Sequence, residues 1–272
     1  MIELQGVTKT FGRKRAVDGL DLRVRAGELF AFLGPNGAGK TTTIKMVCGL
    51  LTPTAGIVRV GGFPAASQEA RQVIAYVPDQ PYLYDKLTGR EFLRFVVDMY
   101  GLDPKSSTRK IEELIEIFEM ADYIDELCEN YSHGMKQRVV FASALVHEPR
   151  ALIVDEPLVG LDPRSGRIVK DLFLEQARSG VAVLMSTHLL SIAEELADTI
   201  GIIDRGKMLM EGSLAEIRER AQMHGPLEDL FLKLTGGDRP RAGGSSTIIA
   251  AVPDSAVEDI AESLAEPGKD RR

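Results

Sequence analysis

The sequence predicts an α/β fold: a core with a mainly parallel sheet, an N-terminal antiparallel β subdomain, and an inserted α-helical subdomain. Three observations carry that prediction. Leu29-Phe30-Ala31-Phe32-Leu33, Leu152-Ile153-Val154 and Val181-Ala182-Val183-Leu184-Met185 are solid apolar runs, the mark of strands covered on both faces. Helical patterns separate the later runs, which calls for parallel strands joined by crossover helices. By contrast, Ile2-Glu3-Leu4 and Leu20-Asp21-Leu22-Arg23-Val24 alternate apolar and polar residues, as half-buried antiparallel strands do.

The remaining elements follow in order. Gly56 to Gly62 is a short strand closed by glycines. Residues about 86–148 form the helical subdomain. The stretch 86–130 changes character, and within it Ile111, Leu114, Ile115 and Phe118 recur at helical spacing with acids between them. Thr199 to Gly212 is a terminal hairpin around Asp204-Arg205-Gly206-Lys207. Residues 213–234 are helical and close a domain spanning 1–234. Residues 235–246 are rich in Gly, Ser, Pro and Arg and read as a flexible linker. In the tail, 247–272, Thr247 to Val252 suits a strand, and Ser255 with Glu258 a capping box before Ile260 and Leu264. One strand and one helix cannot form a core, so the tail is expected to be disordered or loosely docked.

The bulk properties exclude several classes. A net charge of −7 over 272 residues argues against a general nucleic-acid binder. No apolar run reaches the length of a membrane span. Met1-Ile2-Glu3-Leu4 lacks the layout of a secretory signal. Cys48 and Cys128 show neither metal-ligand spacing nor a disulfide framework, which suits a reducing cytoplasm.

The chemistry concentrates in Gly34-Pro35-Asn36-Gly37-Ala38-Gly39-Lys40-Thr41-Thr42, which fits G-x-x-x-x-G-K-[ST], the phosphate loop of a P-loop NTPase core. It lies between the buried run ending at Leu33 and a helical stretch from Thr43, so the helix N-terminus adds positive charge where phosphates would sit. Lys40 would bridge the β- and γ-phosphates, and the Thr41 hydroxyl would hold Mg²⁺. A second half stands in Ala151-Leu152-Ile153-Val154-Asp155-Glu156-Pro157. Asp155 would hold Mg²⁺ through water. Glu156 would orient an attacking water as general base.

With these motifs in order, the chain resembles the ATP-binding subunit of an ABC transporter over residues 2–234. The resemblance implies two nucleotide-binding domains that sandwich two Mg-ATP head to tail, close on binding, open on hydrolysis, and drive membrane-spanning partners. In Tyr131-Ser132-His133-Gly134-Met135, Ser132 and Gly134 match the family's Leu-Ser-Gly-Gly-Gln signature, while His133 replaces its first glycine. Ser132 and Gly134 would then meet the γ-phosphate held by the partner subunit, and Ser132 also suits a helix N-cap. His133 either obstructs that approach or adds a donor near the phosphate. His188, ending Ser186-Thr187-His188, is implied to contact the γ-phosphate and the Glu156 region. Asp162 resembles the D-loop aspartate and, with Pro163 behind it, also an N-cap. Phe11 is implied to stack on adenine and Val17 to flank adenine or ribose.

One departure from the family pattern is Asp79, where a Mg²⁺-ligating Gln is usual; Gln80 follows, and which of them serves is open. Pro81 to Phe92 would receive a coupling helix or pack the helical subdomain. Asp79–Leu87, Thr88–Glu91 and Leu227–Leu234 look like the bacterial exporter-type branch. The implied partners are a multi-span membrane permease and a second ATP-binding subunit, identical or related, with no nucleic acid. The implied location is cytoplasmic, peripheral on the inner face of the membrane. The alternatives are a soluble ABC ATPase acting on ribosomes or DNA, and a slow-turnover ATP-binding switch. His147 and His224 are expected to be structural.

Overall fold

The first hairpin pairs β1 (Ile2–Phe11) with β2 (Lys14–Val24), in the register Ile2↔Val24 and Leu4↔Leu22. The alternation seen in the sequence puts Ile2, Leu4, Leu20, Leu22 and Val24 inward, where all are buried. β3 (Leu29–Leu33), buried at every position, leaves this sheet and opens a second one. The chain then runs through α1 (Lys40–Val47) back to β4 (Ala55–Val60) and β5 (Phe63–Pro64), completing an antiparallel sheet ordered β2-β1-β4-β5. This computed structural model describes residues 1–222 and 225–235. His224, the linker beyond Thr235 and the tail 247–272 lie outside the described residues.

From α2 (Gln68–Val73) the chain enters β6 (Ile74–Val77) and then the helical insertion. α3 (Gly89–Tyr100) starts with a full capping box of Thr88 and Glu91, and ends at Gly101 in the left-handed conformation. α4 (Pro104–Ile117) starts on Asp103, whose carboxylate accepts from the Ser106 N–H, with Pro104 at the first position. α5 (His133–Leu145) starts on Ser132. The predicted stripe Ile111, Leu114, Ile115 and Phe118 is buried against Leu93, Val97 and Phe141.

The helical reading of 86–130 fails beyond Ile117. Glu119 adopts φ +52, and apart from a 3-10 turn at Cys128–Asn130 the segment to Ser132 is irregular. Its backbone groups pair across the chain instead: the Cys128 N–H donates to Leu87 O at 2.8 Å and the Arg90 N–H to Ile124 O at 3.0 Å.

The second sheet gains β7 (Ala151–Asp155), then β8 (Ala182–Thr187) after α6 (Pro163–Arg178), and β9 (Thr199–Asp204) after α7 (Leu190–Leu196). β10 (Lys207–Gly212) closes it through the predicted turn, where Arg205 and Gly206 both take positive φ. The order is β10-β9-β3-β8-β7-β6, and every pair except β9–β10 is parallel. The α/β prediction therefore holds: a mainly parallel core sheet, an antiparallel N-terminal sheet, and helices between. Two helices, α8 (Leu214–Ala221) and α9 (Leu227–Leu234), follow, and Glu194 on α7 accepts from the Leu227 N–H at 2.9 Å. The parallel register aligns strand ends. Leu33 lies beside Thr187, and Asp155 beside Ser186, so one edge of the sheet collects the ends of β3, β7 and β8.

Candidate active site

At that edge the Gly34–Thr42 loop turns out of β3 into α1. Two of its glycines are required by close approach. A Cβ on Gly34 would lie 2.5 Å from Ile203 O, and one on Gly39, already at φ +114, would lie 2.6 Å from Ala16 O. The loop is pinned by Ala38 N–H to Pro35 O at 3.1 Å and by Gly206 N–H to Ala38 O at 2.7 Å. No side chain caps α1, whereas α3, α4, α5, α6 and α8 each carry one. Its first N–H groups are left for an anion.

Lys40 is 6 % exposed. Its ammonium donates to Gly34 O at 2.7 Å and stands 3.8 Å from Glu156 Oε1. Burial pulls the Lys40 pKa down, and the Glu156 and Asp155 carboxylates oppose that pull. Asp155, 2 % exposed at the end of β7, accepts from the Ser186 hydroxyl. Burial raises its pKa against the bonds from Ser186 and Thr41, while the nearby Asp79 and Glu156 charges push it further up.

Glu156 sits at φ +51, a left-handed backbone that a non-glycine residue adopts at a cost of about 1–3 kcal/mol. Its N–H still donates to Ser186 O at 3.1 Å, so strand pairing persists through the bend. Beyond the bend, Oε2 accepts from the His188 N–H at 3.2 Å and lies 2.9 Å from His188 Nδ1. The strand tips thus bring Lys40, Asp155, Glu156 and His188 into one cluster beside the loop.

A pocket of about 290 Å³ opens there, lined by the loop together with Lys14, Ala16, Asp79 and Glu156. Of the two residues left open after Pro78, Asp79 faces this pocket and Gln80 does not. Phe11 is half exposed at the tip of β1, opposite Lys14, with the Lys9 ammonium 5.2 Å from its ring centre. Val17 is fully buried, lies toward Gly39, and does not line this pocket. Ala16 and Lys14 take the pocket-facing positions. Lys14, which lines the pocket, and Ser186, which bonds Asp155 there, are not among the residues the sequence marks for this site. Ser186 had a signal, as a hydroxyl closing an otherwise apolar strand.

Ser132, His133, Gly134 and Asp162 do not join this pocket. Ser132 and His133 are exposed at the start of α5, where Ser132 Oγ accepts from the Met135 N–H at 3.3 Å. Asp162 Oδ1 accepts from the Arg164 and Ser165 N–H groups at 3.0 Å each, so its capping role is realised.

The donors suit a hard cation. Thr41, Asp155 and Asp79 offer oxygen ligands, the set Mg²⁺ prefers. Among the described residues no three His, Cys, Asp or Glu side chains converge tightly enough to hold a metal alone. Mg²⁺ bound here would complete its shell with phosphate oxygens and water, as it commonly does.

Residues 17–159 match the family model described as ABC transporter. The chain is 37% identical over 218 residues to an uncharacterized ABC transporter ATP-binding protein of Bacillus subtilis, covering 80% of this chain and 73% of the relative. It is 39% identical to the daunorubicin/doxorubicin resistance ATP-binding protein of Streptomyces peucetius, over 80% of this chain and 66% of that one. A solved ATP-binding subunit of an ABC transporter superposes with TM-score 0.82 at 32% identity, covering 86% of this chain and 99% of the other. The chain belongs to the ABC transporter family, as one of its ATP-binding ATPase subunits.

Proposed function

We propose that this subunit hydrolyses Mg-ATP while paired with a second ATP-binding subunit, and that the pair drives a separate membrane permease in the direction of export. The observation that carries the reading is the placement of Glu156, within 3.8 Å of Lys40 and 2.9 Å of His188, at the mouth of the phosphate loop. The triphosphate lies along the loop N–H groups, and Lys40 turns from the Gly34 carbonyl to phosphate oxygens, which attract its charge more strongly. Glu156 takes a proton from the attacking water, whose oxygen bonds to the γ-phosphorus as the bond to the β,γ-bridging oxygen breaks, leaving ADP and phosphate. His188 holds the Glu156 carboxylate in place. Thr41 and Asp155, with Asp79 beside them, hold Mg²⁺, which when bound neutralises charge on the phosphates. Phe11 offers adenine a flat, half-exposed face.

The second subunit supplies Ser132, Gly134 and Asp162, of which Ser132 and Asp162 stand exposed and Gly134 half-buried, all three outside the pocket of their own chain. A bacterial ABC transporter cassette that superposes with TM-score 0.71 at 25% identity was solved as a dimer. Export is supported by relatives named for drug resistance and, in Rhizobium meliloti at 38% identity, for Nod factor export. Among the described residues no helix is long and apolar enough to cross a membrane, and this reading gives the spanning role to a separate permease. It docks on the exposed aromatics Tyr82 and Tyr84, beside Phe95, and holds the subunit at the inner face of the membrane.

The test is ATP turnover by the purified protein beside a Glu156→Gln variant. The variant should lose about two to four orders of magnitude in rate, the usual worth of a general base. Turnover at the parent rate would remove Glu156 from the mechanism.

A further inference from the structure

His133 is the first residue of α5 and is exposed to solvent, yet its ring is not free. It lies against Gly160, in the loop that runs from Glu156 to the Asp162 cap. A Cβ on Gly160 would stand 3.3 Å from both Cδ2 and Nε2 of His133, so the ring fills the room a side chain would need. Gly160 also takes φ +77, where glycine is favoured. The two residues are a matched pair, large on one side and empty on the other. At Gly134, one position on, a Cβ would meet nothing within 4 Å.

The two ends of the loop are firmly held and its middle is not. Glu156 donates to Ser186 O at one end. At the other end Arg138 of α5 donates to Ser165 Oγ at 2.7 Å, and the Ser165 hydroxyl donates to the Asp162 carboxylate. Between them the turn bonds are long: Val159 N–H to Glu156 O at 3.3 Å, and Leu161 N–H to Leu158 O at 3.5 Å. The His133 ring gives this stretch a lateral contact on the signature helix.

We propose that His133 is a positioning residue that fastens the loop Leu158–Asp162 to the start of α5, so that one contact within the chain sets the spacing of the two surfaces offered to a second subunit. This rests on the two-subunit reading above. The ring turns its Cδ2–Nε2 edge to its own loop, so the role assigned to His133 is packing. Because the loop begins at Glu156, a second subunit that presses on Ser132 also displaces the segment next to the general base.

The test uses the full chain in a Glu156→Gln background, so that bound ATP is not consumed. The dissociation constant of the ATP-dependent dimer is measured by analytical ultracentrifugation, and the monomer's affinity for a fluorescent ATP analogue on the same proteins. His133→Gly should weaken the dimer about three- to tenfold, the range expected for a lost packing contact, with the monomer's nucleotide affinity held. His133→Phe, which keeps a flat ring and loses the N–H, should restore it. Gly160→Ala should harm the parent more than it harms the His133→Gly chain. The proposal is overturned by His133→Gly dimerising like the parent, by His133→Phe failing to restore, or by strictly additive effects in the two backgrounds. If the Glu156→Gln chain forms no dimer with ATP, the two-subunit reading falls first and this inference falls with it.

Discussion

The pocket and the signature turn are built on opposite principles. In the pocket, Lys40, Asp155 and Ser186 are almost wholly buried, and each is already partnered within the chain. At the signature turn, Ser132, His133 and Asp162 are exposed, and their bonds do little more than cap the helices they begin. Burying charge is costly unless partners are in place, so a buried site must be complete before its ligand arrives. An exposed turn carries no such cost, but its dipoles are weak while water surrounds them. The pocket is therefore preorganised by its own fold, and the turn gains electrostatic strength only when another surface excludes water from it.

The deepest test of that contrast is Lys40→Ala. The ammonium is the one buried cation lining the pocket, so its loss should lower ATP turnover by about two to three orders of magnitude, comparable to removing a main electrostatic donor. The melting temperature should fall as well, because removing one partner of a buried pair leaves the Glu156 and Asp155 carboxylates without the cation beside them. Steady-state turnover and calorimetry measure the two effects. Parent-level turnover would mean that phosphate charge is balanced elsewhere, and the contrast between the two regions would fail.

Much of the pocket was legible in the sequence because its logic is local. The phosphate loop, the Asp155-Glu156 pair and the strand before each are contiguous, and short-range sterics dictate the rest. Val17 turns inward for a reason local patterning cannot show. Register shifts in the β1–β2 pair, between Val7 and Lys9 and between Lys9 and Thr10, change which β2 residues face inward, and a slip of one residue exchanges the faces of a strand. The left-handed Glu156 left no trace either, since nothing in a non-glycine residue announces positive φ. The irregular 118–131 segment was hidden because its partners lie some 40 positions earlier, at Leu87 and Arg90, where helical periodicity has no reach.

Tyr131→Phe sharpens the comparison at an intermediate scale. Tyr131 immediately precedes the exposed Ser132 but is itself buried, and its hydroxyl accepts from the Gly89 N–H at 3.1 Å while donating to Tyr123 O at 2.8 Å. A Cβ on Gly89 would stand 2.7 Å from that hydroxyl, so glycine is required for the approach. Removing the hydroxyl strands a buried N–H and should cost about 1–3 kcal/mol, read as a lower urea midpoint with an unchanged slope. A loss well under that would show that the signature turn does not depend on the buried bond beneath it.

The smallest effect separates a buried group from an exposed one by pH. The expectation that His147 is structural fits its place. Its ring stacks on Tyr100 with centroids 4.0 Å apart, Nε2 lies 3.0 Å from Ile74 O, and buried Nδ1 has no partner. Burial holds its pKa below the ordinary 6.5, only partly offset by the Ile74 bond. Below pH 6.5 the unfolded chain therefore binds this proton and the folded chain resists it, so stability falls as pH falls. Between pH 6.5 and 5.5 the loss is at most about 1.4 kcal/mol, the limit for one proton over one unit. Lys110, Asp103 and Glu148 line the adjoining cavity. His147→Phe keeps an aromatic ring against Tyr100 and removes the titration. Its urea midpoint should fall less than the parent's between pH 7.5 and 5.5, with the other three histidines common to both chains. Identical falls would mean that the His147 ring takes up its proton as easily folded as unfolded, and that the stack on Tyr100 is open to water.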